Sequence, residues 1–261
     1  MSRSPRIEFP GALYHVTSRG NRRSNIYLDE HDYRTWLDLL STTAARFDFI
    51  IHAFCQMPNH YHLVLETRQG RLSQGMRYLN GIYCQSFNKR HELTGHVVQG
   101  RYHALLIQKE SHLLELARYV ALNPIRAKLA SNAADWHWSN HRYLLGIAPP
   151  PSWLETEWLL NQFGNGPREA RIHAYHDFVR NGLGQANPLI GLHRQRSATN
   201  AGSAVQAMPL TLHEYAAHHR DRNEAIRRAY LSATHTIQAI ATHFKVSPRT
   251  VKRALHPDQA D

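Results

Sequence analysis

Residues 48–67, DFIIHAFCQMPNHYHLVLET, constrain this chain more tightly than any other stretch. The runs 48–56 and 60–67 are rich in residues that suit a pleated surface, and only Met57-Pro58-Asn59 separates them. A parallel pair would need a crossover of about a dozen residues or more, so these two strands must return on each other antiparallel. Around the hairpin the periodicity changes. Residues 12–18 (ALYHVTS) predict a first strand, followed by the basic loop Arg19-Gly20-Asn21-Arg22-Arg23. Residues 29–46 carry Tyr33, Trp36, Leu37, Leu40 and Ala44 at helical spacing, with Asp29 placed to cap them. Helical spacing resumes over 72–90 through Met76, Leu79, Ile82, Tyr83 and Phe87. The second half of HVVQGRYHALLIQ is strand-like, and Ser111 is expected to cap a helix running through Leu114, Ala117, Tyr119 and Leu122, with Pro124 ending or kinking it. The order βαββαβα predicts an α+β fold, a ferredoxin-like antiparallel sheet with its helices on one face.

Beyond residue 147 the texture shifts. Residues 1–147 are expected to form the first domain, and 148–190 a helical extension opened by the stiff Pro149-Pro150-Pro151. Residues 191–207, polar and small, read as a linker, and 208–261 as a small all-α module. In that module TIQAIATHFKVSPRTVKRAL places Ile237, Ile240, Ala241, Phe244, Val246, Val251 and Leu255 as the shared core of two short helices. Ser247-Pro248 supplies the cap and first-turn proline of the second, and RNEAIRRAYLS (222–232) supplies a third helix. The pattern predicts a helix-turn-helix whose outer face carries Arg249, Thr250, Lys252 and Arg253 toward duplex DNA.

Charge narrows the class of partner. With 31 Lys+Arg against 20 Asp+Glu the net charge is +11, and arginine recurs through nearly every segment. A polyanion is the expected partner, nucleic acid before a membrane, because no run of 18 apolar residues occurs. Two cysteines, Cys55 and Cys84, make neither a disulfide framework nor a thiolate zinc site. The N-terminal MSRSPRIEFPG lacks the apolar core of a secretory signal, so a cytoplasmic location is expected.

The chemistry rests on two pairs of residues. His60 and His62 are two apart on a strand and share a face. Tyr119 and Asn123 are four apart on a helix and also share a face. In a chain with 20 histidines the His-x-His spacing has a plain reading, two half-exposed strand histidines, and a tyrosine on a helix stripe is ordinarily core. Context favours function. Tyr61, Leu63 and Leu65 take one face of the strand and leave the imidazoles on the other, beside a turn, while Arg118, Arg126 and Lys128 load the tyrosine helix with phosphate-binding charge. If sheet and helix pack, His60, His62 and Asn123 can hold a divalent ion, Mg²⁺ or Mn²⁺ with zinc also open, beside the Tyr119 hydroxyl.

PGALYHVTSRGNRR, MPNHYHLVLE, QGRYHALL and ELARYVALNPIRA, in this order and at these separations, resemble the REP-associated tyrosine transposases. These are single-tyrosine relatives of insertion-sequence transposases within the HUH endonuclease group. The resemblance covers roughly residues 6–146 and, more loosely, WLETEWLLNQFG and AYHDFVRNG. It implies a metal pair of His60 and His62, Asn123 as third ligand, Tyr119 as nucleophile, and hairpin-forming repetitive extragenic palindromes as substrate. The expected activity is metal-dependent single-stranded DNA cleavage and strand transfer through a 5′-phosphotyrosine, by a monomer or homodimer. A free tyrosine has a pKa near 10, so the hydroxyl needs the ion and nearby arginines. Arg19, Arg22, Arg23, Arg101 and Tyr102 are expected to hold the strand by backbone contact and base stacking, with Arg126 beside the tyrosine. Two other readings use the same residues: a regulator that binds DNA or RNA without cutting, and a zinc hydrolase acting through water, which would not need Tyr119.

Overall fold

The computed structural model of the chain describes residues 8–107, 110–185, 188, 211–218, 221–231 and 237–254. It divides into two compact units, Met1–Ile190 and Gly191–Asp261. The stretch 191–207, read above as a linker, lies outside the described residues.

The first unit has the expected order: β1 (Ala12–Arg19), α1 (Glu30–Phe47), β2 (Phe49–Met57), β3 (His60–Thr67), α2 (Leu72–Arg90), β4 (His103–Ile107) and α3 (Glu110–Arg126). The strands lie in the order β2-β3-β1-β4 with every neighbouring pair antiparallel, the ferredoxin-like arrangement. Alternation along each strand sends Tyr14, Val16, Tyr61, Leu63 and Leu65 into one core with Trp36 and Leu40 of α1 and Met76 and Leu79 of α2. Gly75 permits the close approach of α2, since a Cβ there would stand 2.3 Å from the Phe49 ring. Asp29 caps α1 by accepting from the Asp32 amide. The Asp32 carboxylate, 2 % exposed, accepts from the Leu28 amide, Arg90 and His91, which ties the start of α1 to the end of α2.

Helices cover both faces of the sheet, contrary to the one-sided expectation. While α1 and α2 pack together on the first face, α3 lies across β2, β3 and β4. The reason is visible in β3. Val64 is as fully buried as Leu63 and Leu65, so both faces of that strand need a cover. Ser111 falls inside the first turn of α3 rather than capping it, and Pro124 is accommodated within the last turn.

The outer edge of β2 is sealed by irregular chain. Gln56 donates its amide to the Trp138 carbonyl, Asn140 to Phe54 and Glu155 to Ile51, while the Asn140 side chain accepts from the Phe54 amide. Past the short α4 (His141–Leu144) and α5 (Glu157–Asn161), α6 (Arg168–Arg180) packs on α3. Arg118 of α3 is buried there, its guanidinium 4.3 Å from the Phe178 ring and hydrogen-bonded to Glu115 and Gln185. It is an anchor for α6 and not part of a phosphate-binding face.

In the second unit α7 (Leu212–His218) precedes α8 (Arg222–Leu231), α9 (Ile237–His243) and α10 (Pro248–Ala254). Ile226, Ala229, Ile240, Ala241 and Val251 form its core, with Phe244 and Val246 packed against it. Ser247 caps α10 by accepting from the Thr250 amide at 3.1 Å. Leu255, expected in this core, lies outside the described residues. Among the described residues no helix is long and apolar enough to cross a membrane.

Candidate metal and nucleophile site

Register brings the first half of the site together. β1 and β3 pair with Arg19 opposite His60, Thr17 opposite His62 and His15 opposite Val64. His60 and His62 project from the face that α3 covers, with ring centroids 5.0 Å apart and planes at 76°. Tyr119 approaches from α3, its ring perpendicular to His62 at 5.7 Å between centroids. Asn123, one turn on and 9 % exposed, donates Nδ2 to the Tyr119 carbonyl at 3.0 Å. Arg126 places its guanidinium carbon 5.0 Å from the centroid of the Tyr119 ring and donates to the Gly182 carbonyl at 3.3 Å. The four residues paired by spacing alone therefore share one locality.

A fifth is His15, which spacing did not find. Its ring lies parallel to His62, 5.2 Å between centroids at 8°, and its Nε2 is 2.9 Å from His62 Nδ1. It also meets the Tyr119 ring edge-on at 6.5 Å. The one available signal was its place in β1, on the face opposite Tyr14 and Val16.

The hydrogen bonds decide which atoms remain for chemistry. Asn59 donates Nδ2 to the Arg23 carbonyl at 3.0 Å, which turns its Oδ1 toward His60 Nδ1 at 2.7 Å. His60 must then carry its proton on Nδ1 and keep a lone pair on Nε2. Burial, with the Arg19 charge adding to it, pushes the His60 pKa down to about 4. Burial pushes His62 well below the ordinary histidine value, and His15 and His60 push the same way. Both imidazoles are neutral at neutral pH, the form that binds metal. Asn123 spends its Nδ2 and keeps Oδ1. Among the described residues no three His, Cys, Asp or Glu side chains are placed to hold one metal ion. Two imidazoles and a carboxamide could serve as donors to a divalent cation that also accepts water and phosphate oxygens.

The remaining residues expected to hold nucleic acid divide. Arg19, Arg22, Arg23 and Arg101 are exposed, and Arg126 keeps an exposed flank. The basic loop is held firmly: Gly20 donates its amide to the Asn59 carbonyl, and Asn21 donates to Val97. Arg22 and Arg23 sit in left-handed backbone at φ 53 and 64. Tyr102 departs from expectation, being 8 % exposed with its hydroxyl 3.3 Å from Ser73 Oγ, so its ring belongs to the core and is not offered to a base. In the second unit Arg249 is exposed, and the Thr250 hydroxyl is 2.9 Å from Ser247 Oγ; the side chains of Lys252 and Arg253 lie outside the described set.

Comparison with known proteins finds several that the chain is similar to. Residues 9–123 match the family described as "Transposase IS200 like". A Haemophilus influenzae protein provisionally named a REP-associated tyrosine transposase is 24 % identical over 155 residues, covering 55 % of this chain and 88 % of that one. A solved REP-associated tyrosine transposase bound to a REP hairpin is 22 % identical, covering 57 % of this chain and 89 % of its own, with a TM-score of 0.48. A Deinococcus radiodurans protein provisionally named a transposase is 19 % identical, covering 50 % of this chain and 100 % of its own, with a TM-score of 0.33.

Proposed function

We propose that the chain, whose residues 9–123 match the family described as "Transposase IS200 like", is a metal-dependent single-stranded DNA endonuclease and strand transferase that works through a 5′-phosphotyrosine. The observation that carries this reading is the seating of Tyr119 against His62, with Arg126 over its ring. A purely binding surface has no need of a phenol set against the His15 and His62 rings with a guanidinium over it.

His60 and His62 through Nε2, and Asn123 through Oδ1, would hold Mg²⁺ or Mn²⁺, which supplies Lewis-acid polarisation of the scissile phosphate. The chain's own residues do the rest. Arg19, paired with His60, and Arg126 hold the phosphate oxygens. Tyr119 Oη attacks phosphorus in line: the Oη–P bond forms, the P–O3′ bond breaks, and the tyrosyl proton is balanced by the proton taken up by the departing 3′-hydroxyl. Arg126 stabilises negative charge on the phenol oxygen as its proton leaves. The tyrosyl ester conserves the cut bond, so a second 3′-hydroxyl reverses the step on a new strand without ATP.

In-line attack from a site roofed by α3 requires a flexible phosphodiester, which favours single-stranded DNA. The substrate we propose is hairpin-forming repeat DNA of the REP type, gripped by the rigid Arg19–Arg23 loop and Arg101. The second unit, through Arg249, Thr250, Lys252 and Arg253 on and beside α10, is proposed as a helix-turn-helix that holds duplex DNA nearby.

The test incubates the purified chain with Mg²⁺ or Mn²⁺ and hairpin oligonucleotides from the DNA flanking its own gene. A denaturation-resistant protein–DNA adduct that needs metal and disappears in Tyr119→Phe supports the proposal. Hairpin binding with neither adduct nor cleavage would point to a non-catalytic regulator. Metal-dependent cleavage that survives Tyr119→Phe would point to a water-based hydrolase.

A further inference from the structure

We infer that Asn59 and His15 are positioning residues that fix both site imidazoles as the Nδ1–H tautomer, so that each keeps an Nε2 lone pair for a ligand. The inference rests on the metal-binding reading of His60 and His62 and adds the residues that make those rings competent.

For His60 the assignment follows from a chain of oriented groups. The Arg23 carbonyl can only accept, so the Asn59 atom 3.0 Å from it is Nδ2, and Oδ1 faces His60. An oxygen acceptor 2.7 Å from Nδ1 demands a proton there, and a neutral ring then has none on Nε2. The Arg23 carbonyl is aimed by the loop. The left-handed backbone of Arg22 and Arg23 turns the chain back, and the Gly20 amide bonds to the Asn59 carbonyl across the gap. A Cβ at Gly20 would fall 2.0 Å from the Ser24 carbonyl oxygen, so this turn holds only with glycine. The basic loop thus has a second task besides carrying charge, which is to set the orientation of one amide.

For His62 the partner is another imidazole, and two arrangements are possible. If His62 donates from Nδ1, His15 accepts on Nε2, and His62 Nε2 is a free lone pair. If His15 donates, His62 carries its proton on Nε2 and presents an N–H to the site, which no cation can use. Only the first arrangement leaves His62 able to ligate the cation of the proposed function, and it is the one we infer. His15 is well suited to hold it. It is 2 % exposed, nearly coplanar with His62, and anchored in the middle of β1 with strands on both sides. Acceptors on the far nitrogen of a ligating imidazole orient the ring and raise its basicity, and removing one typically weakens metal binding by about 10–100-fold.

Histidine-selective ¹⁵N NMR of the full chain without metal reads the tautomers directly. Wild-type spectra at neutral pH should show both His60 and His62 with a protonated Nδ1 and an unprotonated Nε2. Mn²⁺ titration gives the second readout. His15→Phe keeps an aromatic ring beside His62 but offers no acceptor, and should lower Mn²⁺ affinity about 10–100-fold. His15→Gln restores an acceptor and should recover most of that loss. Asn59→Leu should release the His60 tautomer in the same way. A wild-type His62 protonated on Nε2 overturns the inference, as does a His15→Phe chain whose tautomers and Mn²⁺ affinity are unchanged. Failure of the wild type to bind Mn²⁺ would sink the metal reading, while the spectra would still decide the tautomers.

Discussion

Gly182 offers the sharpest test of how the helical extension grips the tyrosine helix. A Cβ at this position would lie 2.4 Å from Arg118 Cδ, 2.8 Å from Nε and 3.0 Å from Cγ. Those are mid-chain atoms of an arginine held beyond them, at its guanidinium, by Glu115, Gln185 and the Phe178 ring, so it cannot swing aside freely. Overpacking of this kind costs about 1–3 kcal/mol. The backbone of Gly182 is outside the left-handed region, so alanine recovers about 0.4–1 kcal/mol by restricting the unfolded chain. Gly182→Ala should therefore destabilise the first unit by about 1–2 kcal/mol, a drop in Tm of roughly 2–8 °C. The assay is thermal unfolding of Gly182→Ala, Arg118→Ala and the double variant. Once Arg118 is shortened the clash is gone, so the effects should fall short of additivity by the clash itself, about 1–3 kcal/mol. A Gly182→Ala chain that melts within 1 °C of wild type, or two changes that simply add, would refute the reasoning.

Three further outcomes are expected. Tyr119→Phe keeps every ring contact with His15, His62 and Arg126, so its Tm should stay within a few degrees of wild type while the covalent adduct is lost; a collapse in stability would mean the hydroxyl is structural. Burial lowers His52 and His141 each to about 4, with Glu155 opposing at His52 and His176 assisting at His141. Both are neutral in the fold, and the unfolded chain gains protons below about 6.5, so stability should fall as pH drops from about 6.5 to about 4, by at most about 3 kcal/mol per group. Urea midpoints that stay level between pH 7 and 5 would contradict this. Arg22→Ala is exposed and should leave Tm unchanged while reducing the salt slope of oligonucleotide binding by about one; an unchanged slope would remove Arg22 from the interface.

The hairpin, the long helices and the βαββαβα order were legible because each rests on local periodicity and a short turn that admits one geometry. His60, His62, Tyr119 and Asn123 were legible as two same-face pairs, and only the register of β1 with β3 and the docking of α3 join them. His15 was hidden because its bond to His62 spans 47 residues and crosses strands diagonally, which no spacing rule reports. Tyr102 was misplaced because it precedes the alternation of β4 and its burial comes from α2, through Ser73. The two-sided cover of the sheet was readable in part: Val64 sits apolar between His62 and Glu66 on the face that carries the imidazoles. The seal on the edge of β2 was not, since residues 136–140 pair with the strand through irregular backbone that has no sequence period.

The site draws on three pieces of chain laid down at very different moments of synthesis. β1 and the hairpin supply His15, Asn59, His60 and His62 early, whereas Tyr119 and Asn123 come from a helix that ends at Arg126 and is then clasped by a turn at Gly182. A ribosome must therefore release some sixty residues beyond the imidazoles before Tyr119 exists, and as many again before Arg126 is anchored. A nascent or prematurely terminated chain that stops short of α3 has the imidazole pair but no blade. The order of segments along the polypeptide leaves the candidate site incomplete until α3 and then the turn at Gly182 have been made.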